Sequence, residues 1–158
     1  MRTLEESVGK KLSRYNKTLA IAESCTGGLL ANRITDVPGS SKYFKLGLVP
    51  YSNESKNKLL NIPVKTIEKY GAVSKQAAIL MAKNVRILAG TDFGISITGI
   101  AGPGGARPKK PLGLVYIALS SDKKTICKEF HFRGNRLLIK YKSTQAALNM
   151  LRQAVGQV

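Results

Sequence analysis

The chain has 158 residues and an apolar share of 43%, which fits one domain of ordinary size and excludes disordered and fibrous classes. No apolar run approaches the roughly 20 residues that span a bilayer, and the N-terminal MRTLEESVGKKLSRYNK is too charged for a secretory signal, so a cytoplasmic protein with no membrane partner is expected. The net charge of +17 admits a nucleic-acid partner, yet the basic residues are scattered and no aromatic-interleaved basic motif appears, so most are read as solvated faces.

Residues 3–16 read as an amphipathic helix, with Leu4, Val8 and Leu12 on one face. Residues 18–22 (TLAIA) form a short buried strand, and residues 23–28 (ESCTGG) a tight connection. A helix follows over 29–35, ended by Pro38-Gly39, with Ser24 or Thr26 as a candidate cap. Residues 43–51 (YFKLGLVPY) read as a strand whose Pro50 places its end near an edge or bulge. Ser52-Asn53-Glu54 starts a helix that runs through Lys56 to Leu60. Pro63 opens a short helix that stops at Gly71, and Ser74 caps a long one from about Lys75 to Leu88, closed by Gly90. A strand over 93–98 runs into a glycine-rich loop over 99–111, and strands over 112–120 and 125–132 are joined at Asp122. The last helix covers about 135–155, with Leu138, Tyr141, Ala147, Leu148 and Leu151 as core contacts. Helices on both faces of a mixed sheet are the natural packing for this order.

One histidine, His131, rules out a His-rich zinc site, and any acid–base chemistry falls on Lys, Tyr, Asp, Glu or that residue. Neither Cys25 nor Cys127 has metal-ligand spacing, and both are expected to be reduced thiols. No metal and no cofactor are expected. In AESCTGG a buried strand ends, a serine follows, then a helix start. That geometry lifts the Ser24 hydroxyl above the carboxyl edge of the sheet, where turn N–H groups can face a developing oxyanion. A capped helix with no chemistry explains the same residues equally well. Lys56 lies one turn into its helix, where partial burial and the helix dipole lower its pKa and allow it to deprotonate a serine. Tyr51 is positioned to relay a proton or orient the lysine. The passage Thr98-Gly99-Ile100-Ala101-Gly102-Pro103-Gly104-Gly105 exposes backbone N–H groups to a phosphate or carboxylate, although many loops are glycine-rich. Arg133 or Arg136 has the chemistry of an anion clamp, and surface charge at a helix start is the plainer reading.

Together AESCTGG (22–28), DVPGSS (36–41), YSNESK (51–56), GAVS (71–74), SITGIAGPGG (96–105), KPLGLVYIAL (110–119) and FRGNR (132–136) resemble the CinA C-terminal-domain family, the nicotinamide-nucleotide amidases. The resemblance runs over about residues 18–152. It implies an α/β fold, a three-layer α/β/α sandwich with a five-stranded mixed sheet, in a single domain over 1–158 of the stand-alone form. It implies hydrolysis of the carboxamide of nicotinamide mononucleotide to nicotinate mononucleotide and ammonia. By the same resemblance Ser24 is the nucleophile, Lys56 its base and Tyr51 an assistant. Cys25, Thr26 and Gly27 would hold the oxyanion, and Thr98, Gly99, Gly102, Gly104 and Arg136 the rest of the substrate. A homo-oligomer is also expected. Pro50, Lys75, Asn135 and Lys140 depart from the family's usual residues. The rival readings are a basic nucleic-acid-binding module and a family member that has lost catalysis.

Overall fold

The computed structural model describes residues 2–157. Helix α1 (Leu4–Arg14) leads into strand β1 (Leu19–Glu23), helix α2 (Leu29–Thr35), a 3-10 turn (Ser40–Lys42) and strand β2 (Phe44–Leu48). Helices α3 (Asn53–Leu60), α4 (Val64–Tyr70) and α5 (Lys75–Ala89) follow, then strands β3 (Phe93–Gly99), β4 (Leu114–Ser120) and β5 (Thr125–His131), and helix α6 (Arg136–Ala154). The five strands form one mixed sheet in the order β2-β1-β3-β4-β5, parallel between β2, β1 and β3 and antiparallel from β3 to β5. This is the α/β fold expected. None of the described helices is long and apolar enough to cross a membrane.

The strands sort their side chains by the period of two. Leu19 and Ile21 of β1, with Phe93, Ile95 and Ile97 of β3, enter a core shared with α1, α2 and α6. The alternate residues of these strands are small: Ala20 and Ala22 pack with Met81 and Val85 of α5. Gly94 takes this to its limit, since an added Cβ would lie 2.2 Å from the Ala82 carbonyl oxygen. Large residues on one face and small ones on the other therefore set a thick layer and a close-packed one.

Short polar groups finish the helix starts. Thr3 and Glu6 form a capping box on α1, while Ser52, Ser74 and Asn135 cap α3, α5 and α6 through side-chain oxygens. Asn135 thus caps as an aspartate would. Helix α2 is the exception. Its N-cap is Gly28 at φ 99°, and neither Ser24 nor Thr26 caps it. Instead the Glu23 carboxylate, at the end of β1, accepts from the amides of Leu30 (3.0 Å) and Ala31 (2.8 Å).

Two sequence expectations fail on α6. Leu138 and Tyr141 are 42% and 48% exposed, whereas Ile139, Ser143, Thr144, Ala147, Leu148 and Leu151 form the buried stripe. The stripe crosses two polar residues because both are satisfied: Ser143 Oγ donates to the Ile139 carbonyl and Thr144 Oγ1 to that of Tyr141. Thr144 also accepts from Arg33, which reaches Gln145 and pairs with Glu5 at 2.7 Å, tying α1, α2 and α6 together. Tyr141 lies on the outside, its ring 5.0 Å beneath the Arg33 guanidinium. The strand expected over 43–51 ends at Leu48, before Pro50, and is an edge strand.

Candidate active site

The parallel strands β2, β1 and β3 end at the same edge of the sheet. After β1 the chain turns toward α2, and after β3 it leaves in the other direction toward β4. Such a divergence opens a crevice outside the carboxyl ends of the strands. A cavity of about 290 Å3 lies there, lined by Ser24 after β1, Lys56 on α3 after β2, and Thr98 to Gly102 at and beyond the end of β3. Tyr51, Gly104 and Arg136 also line it.

Ser24 is held by its backbone. Its N–H extends the β1–β3 ladder to the Ile97 carbonyl (2.9 Å), and its carbonyl accepts from Gly27 N–H (3.0 Å). The side chain is 9% exposed, and its Oγ lies 3.1 Å from Lys56 Nζ. Lys56 is 1% exposed. Its Nζ has two other partners, the carbonyl oxygens of Pro50 (2.9 Å) and Tyr51 (3.1 Å). No carboxylate pairs with Lys56 among the described residues, and burial lowers its pKa from the ordinary 10.5. A neutral amine has two hydrogens and one lone pair. Nζ donates to Ser24 Oγ as well as to both carbonyls; in the neutral form, with its two hydrogens kept on the carbonyls, its lone pair would turn to the Ser24 hydroxyl.

The Gly27 amide is consumed by Ser24, and those of Leu30 and Ala31 by Glu23. Those of Cys25 and Thr26 have no hydrogen-bond partner among the described residues. Of the two residues only Cys25 lines the cavity, so its amide can meet a negative oxygen beside Ser24, and Gly27 cannot do so without giving up its own bond. The Cys25 thiol is buried at 6% exposure, and burial pushes its pKa up to about 12. It is a neutral thiol at pH 7, unsuited to be the nucleophile. Thr26 is fully buried, and its Oγ1 has no partner among the described residues.

Tyr51 contributes in two ways. Its carbonyl holds Lys56, while its half-exposed ring carries a hydroxyl 3.3 Å from Arg136 Nη2. Arg136 Nη1 donates to the Gly102 carbonyl at 2.6 Å. Arg136 therefore braces the glycine loop against Tyr51. Thr98 Oγ1 donates to the Ala72 carbonyl (2.8 Å), which fixes the GAVS segment as one wall. Gly99 is glycine because β4 is close: a Cβ there would lie 2.6 Å from Val115.

The structure thus brings to the cavity lining every residue expected at the site except Thr26 and Gly27. Ala72, Val73 and Ile100 line it too and carried no sequence signal beyond their motifs. Glu23 and Pro50 act through contacts with α2 and Lys56, and only the acid at a strand end hinted at the first. Among the described residues, no group of three or more His, Cys, Asp or Glu is arranged to hold a metal.

Comparison with known proteins fits this geometry. The family model for the CinA C-terminal domain matches residues 1–155. A protein described as competence-damage inducible from Caldanaerobacter subterraneus subsp. tengcongensis is 52% identical over 150 residues, covering 95% of this chain and 36% of its own length. The CinA-like protein of Syntrophus aciditrophicus is 49% identical over 152 residues, with 96% and 36% covered. The chain thus spans about a third of the length of these curated relatives. Among solved structures, the competence damage-inducible protein A of Klebsiella pneumoniae superposes with a TM-score of 0.93 at 30% identity, covering 96% of this chain and 94% of that one. The competence/damage inducible protein CihA of Agrobacterium tumefaciens gives 0.89 at 33% identity, with 96% and 97% covered. With its sheet order, its strand-end crevice and these matches, the chain belongs to the CinA C-terminal domain family.

Proposed function

We propose that this domain is an amidase that hydrolyses the carboxamide of nicotinamide mononucleotide through a Ser24 acyl-enzyme. The observation that carries the chemistry is the engagement of Lys56 Nζ by two backbone carbonyls and the Ser24 hydroxyl. The substrate comes from the family resemblance. Arg136 in the cavity lining gives it a positive charge that suits an anionic nucleotide.

In this mechanism Ser24 Oγ attacks the amide carbon as its proton passes to Lys56 Nζ. The carbonyl oxygen becomes an oxyanion that the Cys25 amide can meet. The intermediate collapses, the C–N bond breaks, and the Lys56 ammonium returns the proton to the leaving nitrogen, so ammonia departs. Water then gives a proton to Lys56 and attacks the Ser24 ester. The acid product leaves, and Ser24 Oγ is reprotonated by Lys56.

The test is ammonia release from purified protein and nicotinamide mononucleotide. Ser24→Ala and Lys56→Ala are each expected to lower kcat by roughly a thousandfold or more. A wild-type protein that releases no ammonia defeats the substrate assignment. Ser24→Ala with full activity defeats the dyad.

A further inference from the structure

The cavity over Ser24 does not end at the catalytic residues. It shares a wall of Ala72, Val73, Ile100 and Gly105 with a second cavity of about 250 Å3, which Arg107 and Lys110 also line. The two cations sit on a small hairpin. Arg107 N–H donates to the Lys110 carbonyl and Lys110 N–H to the Arg107 carbonyl, both at 2.9 Å, so they are directly opposite each other. Like charges in that position repel. Burial lowers the Lys110 pKa, and the Arg107 charge lowers it further. Among the described residues neither cation forms an ion pair, although Glu129 lines another cavity with Lys110.

The cations differ in how they are occupied. Lys110 Nζ donates to the carbonyls of Val73 (2.7 Å) and Tyr70, which locks the hairpin to the GAVS wall. Arg107 is exposed, and among the described residues its guanidinium has neither a hydrogen bond nor an ion pair. Arg136, the anion clamp expected from the sequence, is already committed to Gly102 and Tyr51. A planar guanidinium with all its donors free, beside a second cation and above a cavity, matches a phosphate monoester, which it can grip by two parallel hydrogen bonds.

We propose that the second cavity is a phosphate-monoester subsite in which Arg107 is the bidentate ligand and Lys110 supplies fixed charge, with Arg136 a brace. That the phosphate is the substrate's own rests on the amidase reading above. Inorganic phosphate and ribose 5-phosphate would be titrated calorimetrically into wild-type protein, Arg107→Ala, Arg107→Lys and Arg136→Lys. KM and kcat for nicotinamide mononucleotide would be measured on the same four proteins. Arg107→Ala is expected to weaken both phosphate probes and raise KM by roughly tenfold, the loss falling on KM and not on kcat. Arg107→Lys should recover part of the affinity, because the charge returns without the fork. Phosphate binding lost only with Arg136→Lys, or unchanged in Arg107→Ala, overturns the subsite. Arg107-dependent phosphate binding in a wild-type protein that releases no ammonia supports the subsite and defeats only the amidase reading. Ammonia release with KM unaltered in Arg107→Ala does the reverse.

Discussion

The Nζ of Lys56 sits 2.9 Å from the carbonyl oxygen of Pro50, its shortest hydrogen bond. A proline has no N–H to give, but its carbonyl is an acceptor like any other. Together with the Tyr51 carbonyl it holds the amine beside Ser24, so Pro50, one of the residues read as departing from the family's pattern, contacts the proposed base directly.

The pH dependence of activity follows from Lys56. Burial lowers its pKa below 10.5, and the base form is the neutral amine. The expected kcat/KM therefore rises with pH and levels off below 10.5. Lys56→Arg, which stays charged, should be inactive at every pH. Stability carries the same sign. The unfolded chain holds this proton up to 10.5 and the folded chain releases it earlier, so the cost of burying Lys56 is full below the lowered value and vanishes as pH rises to 10.5. The stability gap between wild type and Lys56→Met, read by chemical denaturation, should change in favour of wild type from pH 7 to pH 10.

Cys25 is next to the nucleophile, and in the proposed mechanism it contributes its backbone N–H and not its thiol. With its thiol pKa near 12 and the side chain 6% exposed, iodoacetamide at neutral pH should leave it unmodified in the native protein. Cys25→Ala should cost no more than about tenfold in kcat, against the far larger loss for Ser24→Ala. Mass spectrometry of peptides after alkylation, with steady-state rates, decides this.

Glu23 is fully buried and takes both of its hydrogen bonds from the first turn of α2. Glu23→Gln presents an NH2 group to one of those two amides, setting donor against donor. A loss of about 1–2 kcal/mol in stability is expected, because the cap is a side-chain oxygen on two helix amides. Since Ser24 follows directly, kcat should fall with little change in KM. Chemical denaturation and initial rates measure the two effects separately.

Arg33 holds Glu5, Thr144 and Gln145 at once, with its side chain 9% and that of Glu5 16% exposed. Arg33→Ala strips a nearly buried acid of its partner and frees three elements from one another. A loss of about 3 kcal/mol, or roughly 6–12 °C in Tm for a chain of this size, is expected in a thermal melt.

The local features of this protein were legible in its sequence because they depend on neighbours along the chain. Thr18 to Ala22 reads as a buried strand, Ser52 and Ser74 cap the helices that follow them, and Ser24 stands where a strand gives way to a turn. The scarcity of histidine pointed to a lysine base, and YSNESK supplied Lys56 at a second strand end. Periodicity failed on α6, where Leu138 and Tyr141 have the chemistry of core residues but the buried stripe runs through Ser143 and Thr144. In that stripe Thr144 accepts from Arg33, 111 residues away in sequence. Tertiary contact also decided that Glu23 caps α2, that the Pro50 and Tyr51 carbonyls orient Lys56, and that Arg136 is a brace while Arg107 is free. Sequence fixes which groups can donate, accept or carry charge. Which of them are already spent on one another depends on distances that exist only once the sheet and its two helical layers have closed.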